Sequence, residues 1–549
     1  MAMGRPAPGV DGVQGGRNPR PGQPRGRPLA SEFSYPPPLA APRAHQVRAH
    51  QVRARSPQEV GVALLLILVW GSAVVPRVIQ SFTAPKFRRT AGIDYGRYTA
   101  VAVLSHDVLR AAIVAVCVIL VIDSVRTRRR VPMAPLLLFL APWAFMTIRD
   151  LYAHTMPSID GLTYLGVAVA LWAAHPSITC LRTLAHLTAL AAAISMLMAL
   201  ISPTSALFRS TQGQLIAADK QIIPSGMLAG FLTQPNNLGQ FIALGIPTIA
   251  LVSRRSLRFT YLVLCVFAVV WSASRSSLYA VALVGAVALA LSCARQPRSR
   301  RRVGAVAIVV SFGAVCALPF LTSDPTAYSG RGIIWDISLS AWRTNAWFGF
   351  GANWYGDIAT TTSSIMGSAF HGHNQLVHVL VTGGAWFALA IGAMLTMVAA
   401  QALRHAARGS GVGVLYLVSL AGTCLLEVSL VFVDNSSMFP VVVLPLAVLS
   451  FAARPPSPSA PVLVARHTHA TERDADTIED VALAMAPRGG IRHEEPVCES
   501  ADAAPGQGRG PRTERYPRGD SPHGAIAEQN LNARPPVARS HQPEPNPAA

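Results

Sequence analysis

Two histidines flanking a glycine, His371 and His373, close a polar stretch and are followed at once by Asn374, Gln375 and His378. An imidazole with an unperturbed pKa of about 6.5 takes up a proton readily at neutral pH, so His373 is a candidate general base. The competing reading is a hydrogen-bonded interfacial histidine. Zinc is a poorer fit, because helical metal pairs usually sit at i, i+4 and no HExxH is present. No DxD motif falls on the predicted outer side either, so a bound divalent metal lacks an obvious carboxylate cradle. Arg331, in Gly330-Arg331-Gly332, is the second candidate. Its planar fork can give a diphosphate two parallel charge-assisted hydrogen bonds, and the flanking glycines let backbone approach a ligand. Contact with lipid headgroups is the alternative. Arg275, in Ser274-Arg275-Ser276, lies between two apolar runs. An arginine at the bilayer centre costs about 2.5–3.5 kcal/mol, so such a residue usually lines a wet cavity or binds an anion; otherwise it is a turn arginine that snorkels to headgroups. Supporting candidates are Asn374, Gln375, His371, Asn236 in Thr233-Gln234-Pro235-Asn236-Asn237, and Glu427, expected inside the eleventh apolar helix. Asp434 and Asn435 follow it, and Arg209 and Lys220 can add outer positive charge.

The elements that position these residues follow from composition. Of 549 residues, 51% are hydrophobic and only 13% charged, with a mean hydropathy of +0.37. Soluble domains carry about 25% charged residues. Continuous apolar runs of membrane length therefore predict an all-α polytopic membrane protein, since only helices and closed barrels satisfy their backbone in lipid. Twelve helices are predicted, at residues 60–79, 108–122, 131–148, 161–174, 184–201, 238–252, 259–274, 276–293, 303–321, 376–399, 412–433 and 438–453. A large extracytoplasmic loop, 322–375, separates the ninth from the tenth. Its start reads as an amphipathic helix along the membrane surface, with Ile334, Ile337, Ala341 and Asn345 at helical spacing, and Trp347 and its neighbours read as a lid.

The net charge of +20 does not indicate nucleic acid, because the basic residues cluster in short loops between apolar runs. Arg126, Arg128, Arg129 and Arg130, then Arg254, Arg255 and Arg258, then Arg295, Arg298, Arg300, Arg301 and Arg302, then Arg404 and Arg408 all follow even-numbered helices. That places both termini in the cytoplasm and the 322–375 loop outside; the basic first outer loop, with Arg77, Lys86, Arg88, Arg89 and Arg97, votes the other way. Seven cysteines form no CxxC and read as small buried hydrophobes. Residues 1–57 and 454–549 are polar, rich in Pro and Arg, and read as disordered cytoplasmic tails around a 58–453 membrane domain.

The ordered set Ser274-Arg275-Ser276, Arg331 with Ile334-Trp335, Gly349-Phe350-Gly351, His373-Asn374 and Gly383-Gly384 resembles the O-antigen ligase and Wzy-type polymerase superfamily of bacterial membrane glycosyltransferases. The resemblance implies a GT-C-like fold in the inner membrane. It implies transfer of a glycan from undecaprenyl diphosphate to a glycan, glycolipid or protein acceptor, inverting and independent of metal, nucleotide or other cofactor. On the matching positions, Arg275 and Arg331 would hold the donor diphosphate and His373 would activate the acceptor hydroxyl. A polymerase or an O-oligosaccharyltransferase is the alternative within the group. A lipid-linked glycan transporter or flippase is the alternative outside it, weakened by the lack of an evident internal repeat.

Overall fold

The computed structural model describes residues 57–84, 87–89, 92–94, 98–127, 132–152, 159–208, 221–355, 371–432 and 437–453, all within one compact unit. The two tails, Lys86, Arg97, Arg128, Arg129, Arg130, Arg209, Lys220, Asp434 and Asn435 lie outside the described residues.

Every predicted apolar run contains a helix. In chain order these are α1 (Pro57–Thr83), α2 (Ala100–Arg126), α3 (Met133–Tyr152), α4 (Ile159–Ala174), α5 (Leu181–Ile201), α6 (Pro235–Gly245, continued as a 3-10 turn), α7 (Arg255–Ser272), α8 (Arg275–Cys293) and α9 (Pro297–Leu321). After them come α10 (Ala327–Thr344), α11 (Gln375–Ala407), α12 (Val412–Cys424) and α13 (Phe439–Phe451). Eight helices among the described residues are long and apolar enough to cross a membrane, and α4, α12 and α13 are shorter apolar helices. The chain is a polytopic helical membrane protein. Two-stranded ribbons, Phe87–Arg89 with Gly92–Asp94 and Leu207–Phe208 with Met227–Leu228, are the strands among the described residues.

Burial sorts the helices. All thirteen residues of α12 are buried, and α13 is buried almost throughout. Helices apolar on every side belong at the centre of a bundle. By contrast, α2 exposes Leu104, Val118, Ile119 and Val125, a face suited to lipid. Around the centre, α12 packs on α8, α9 and α11, while α11 also packs on α3 and α10.

Three local features position the site. First, α7 and α8 are joined by Ala273 and Ser274 alone. Ala273 is left-handed (φ 53°) and caps α7, so Arg275 becomes the first residue of α8. Second, α11 is broken. Gly384 adopts φ 68°, ψ −166°, and the segment after α10 fills the gap. Phe350 N and Gly351 N donate to Val381 O and Thr382 O, while Ala385 N and Trp386 N donate to Ala346 O and Trp347 O. The Arg149 guanidinium, from the last turn of α3, donates to Phe348 O, Gly349 O and Thr382 O. A helix can be interrupted in a membrane only if other groups take over its freed backbone donors and acceptors. The stretch expected as a lid therefore forms part of the backbone of the break. Third, α12 stops at Cys424, not at the predicted residue 433, which places Glu427 on an irregular segment beyond the helix. The reason is competition for its backbone: the Gln375 amide accepts from Ser429 N (2.9 Å) and Leu430 N (2.8 Å) and donates to Leu430 O (3.0 Å).

Candidate active site

Glu427 is the centre of the site, with its side chain only 7% exposed. Its Oε1 accepts from Arg331 Nη2 at 2.6 Å and from Asn236 Nδ2 at 3.1 Å. Its Oε2 lies 3.8 Å from His371 Nε2 and 3.9 Å from His373 Nδ1. Four side chains from three separate segments, α6, the start of α10 and the residues before α11, thus converge on one carboxylate carried by a fourth, the residues after α12.

Each is placed by local structure. Pro235 opens α6, where a missing N–H costs nothing, and puts Asn236 in the first turn. Arg331 follows three left-handed residues, Tyr328 (φ 55°), Ser329 (φ 66°) and Gly330 (φ 85°). The face of α10 that is buried carries Gly332, Ile334, Trp335, Ser338 and Leu339. Trp335 is 1% exposed and donates its indole N–H to Gly372 O at 3.0 Å, so this face packs inward against the histidine loop, not along a membrane surface. Gly372 is tight as well: a Cβ there would lie 2.7 Å from the Tyr355 hydroxyl and 2.8 Å from His378 N. His373 takes φ 45°, an uncommon conformation for a non-glycine residue that collects at functional sites. The His371 and His373 rings stand 4.3 Å apart between centroids.

Asn374 and Gln375 act on the framework of the site. Asn374 caps α11, its Oδ1 accepting from Leu376 N and Val377 N, while its Nδ2 donates to Val315 O and Leu425 O. Together with Gln375 it fixes the segment that carries Glu427. Sequence reading missed two contributors. Gln240 donates to Ser429 Oγ at 2.6 Å, and Ser429 Oγ also pairs with Thr423 Oγ1 at 2.9 Å. The available signal was the i, i+4 polar pair Asn236 and Gln240 on a largely apolar helix. Arg149 was the other, a lone arginine at the end of an apolar run.

Arg275 stands apart. It is exposed, and its guanidinium has no hydrogen bond or ion pair among the described residues. Its turn nonetheless presses on α6: a Cβ on Gly239 would come within 2.6 Å of Ser274 Cβ and 2.9 Å of Ser277 Oγ. That helix carries Asn236, so Arg275 projects from an element braced against the site.

The protonation pattern follows from the hydrogen bonds. Burial first, and the Arg331 guanidinium second, lower the His371 pKa from 6.5 to about 4, so this ring is neutral at neutral pH. His371 Nδ1 accepts from His373 N at 3.1 Å, which places the ring proton on Nε2, facing Glu427. His371, His373 and Glu427 do have ligand atoms within 4.8 Å of one another, close enough to surround a metal ion. They fit one poorly. His371 would have to ligate through the nitrogen that carries its proton, and Glu427 already bears a guanidinium.

The O-antigen ligase family model (Wzy_C) matches residues 260–392. Comparison with curated proteins gives no match. The matched span contains Arg275, Arg331, His371 and His373 together with the broken helix at Gly384, so over residues 260–392 this polytopic membrane protein is similar to the O-antigen ligase family.

Proposed function

We propose that the protein transfers a glycan from undecaprenyl diphosphate to an acceptor hydroxyl on the outer face of the cytoplasmic membrane. The observation that carries this reading is the Arg331–Glu427–His371–His373 cluster, assembled from segments distant in the chain around one buried carboxylate. His373 Nδ1 faces the carboxylate, which favours a proton on Nδ1 and leaves Nε2 as the base. In the reaction the acceptor oxygen bonds to the anomeric carbon with inversion, and its proton passes to His373 Nε2. The bond from that carbon to the phosphate oxygen breaks, and the electron pair leaves with undecaprenyl diphosphate. Charge developing on the leaving group needs fixed cations, supplied by Arg331 and, from the braced turn of α8, by Arg275. Outside the membrane there is no nucleotide to supply energy, so the diphosphate ester itself carries it. Neither a metal nor a cofactor is required by this scheme.

The same chemistry serves a ligase, a polymerase or a protein-directed transferase, which differ in acceptor. Glycan profiles of a deletion strain complemented with wild type or His373→Ala separate them. A ligase predicts full-length chains stranded on the lipid carrier, whereas a polymerase predicts single repeats. Normal profiles with His373→Ala would remove the proposed base.

A further inference from the structure

The pairing of Arg331 poses a problem for an anion site. A diphosphate that takes Arg331 meets a carboxylate 2.6 Å from the same guanidinium, and like charges at that range cannot share it cheaply. Three observations point to a way out of the conflict. The carboxylate does not depend on Arg331 for its place, because Asn236 also donates to Oε1 and Gln375 anchors the segment beyond. Arg331 is carried by a helix whose entry is three successive left-handed residues, two of them non-glycine. Such strained backbone gathers at segments that change conformation. Finally, Oε2 stands 3.8 and 3.9 Å from the two imidazoles, just beyond hydrogen-bond reach and within a small rotation of the carboxylate.

We propose that Glu427 is a positioning residue with two successive partners: it holds Arg331 until a donor diphosphate takes the guanidinium, and then turns to the His371–His373 pair. No covalent bond changes in this exchange. One ion pair is replaced by another, and the carboxylate moves from neutralising an arginine to orienting the base and stabilising its imidazolium. Donor binding thereby arms the base, and an acceptor hydroxyl meets an oriented His373 only when a leaving group is in place. The inference rests on the reading that Arg331 binds diphosphate, and it adds a thermodynamic coupling that this reading alone does not contain.

The test is a double-mutant cycle on the full-length protein in lipid nanodiscs, reading the affinity for undecaprenyl diphosphate in wild type, Glu427→Gln, Arg331→Ala and the double variant. Releasing Arg331 from its competitor is expected to make Glu427→Gln bind about five- to tenfold tighter, and its transfer rate is expected to fall about 100-fold. Arg331→Ala is expected to bind at least about tenfold weaker, and Glu427→Gln should add no tightening in that background. If Arg331→Ala binds like wild type, the diphosphate role of Arg331 fails and the exchange fails with it. If Arg331→Ala binds weakly but Glu427→Gln does not bind more tightly, the exchange alone is overturned. Equal tightening in both backgrounds also overturns it, since that is simple removal of a negative charge. Should Glu427→Gln not fold, Glu427→Asp, which keeps the charge but lengthens the pair, is expected to bind more tightly than wild type; wild-type affinity would overturn the exchange.

Discussion

Replacing Gly384 by alanine tests the joint on which the histidine end of α11 is mounted. The φ of 68° and ψ of −166° lie in a region essentially reserved for glycine, which costs a side chain about 1–3 kcal/mol. The added Cβ would also meet the Trp347 carbonyl and lie 2.5 Å from Phe348 N. These are backbone atoms, so relief requires the 345–351 segment to retreat, and its hydrogen bonds to Val381, Thr382, Ala385 and Trp386 would weaken with it. Overpacking of this kind adds about 1–3 kcal/mol. The sum, about 2–6 kcal/mol, is a large part of a stability margin of about 5–15 kcal/mol. Gly392 is the control: it is on the same helix, nothing lies within 4 Å of its Cβ, and alanine there gains up to about 1 kcal/mol of helix propensity. Thermal unfolding of both variants in one detergent should show a clear drop for Gly384→Ala and none for Gly392→Ala. An unchanged midpoint for Gly384→Ala would refute the broken-helix joint.

Gln375→Ala strips three buried backbone groups of their partner and is expected to cost about 3–5 kcal/mol; unfolding midpoints check it, with a fall in transfer rate as the Glu427 segment loosens. Arg149→Ala removes the fork across Phe348, Gly349 and Thr382 and should destabilise by about 2–4 kcal/mol, more than any exposed arginine on the same bundle. The acid response of His371 has a definite sign. Its folded pKa of about 4 lies below the ordinary 6.5, so between those values the unfolded chain binds a proton that the folded one refuses. Stability therefore falls as pH drops from 6.5 toward 4, by up to about 3 kcal/mol, and is unaffected by this group above 6.5. A His371→Gln variant should have a flatter profile over that window; an identical slope would show the ring is not held neutral.

The helices were legible because lipid imposes length and apolarity on each of them, and these are properties of a run of residues. The predicted pairing of α7 with α8 without a linker followed from the same pattern, which left no room for a loop at Ala273 and Ser274. His373, Arg331 and Glu427 were visible as polar residues where polarity is costly. Their meeting was not visible, since Arg331 and Glu427 are 96 residues apart and nothing local specifies the contact. The end of α12 was hidden for a related reason: Leu425 to Leu430 contains no glycine or proline, and the helix stops because a glutamine on another helix claims its backbone. The role of Asn374 and Gln375 was likewise hidden, because a buried amide beside a catalytic candidate looks the same in sequence whether it faces substrate or scaffold.

The most direct measurement of the central claim is transfer of lipid-linked glycan to acceptor by purified His373→Ala beside wild type, both shown to be folded. With His373 as the base, oriented by Glu427, the variant is predicted to lose at least about 100-fold in rate with donor affinity retained. Wild-type turnover by folded His373→Ala would contradict the account.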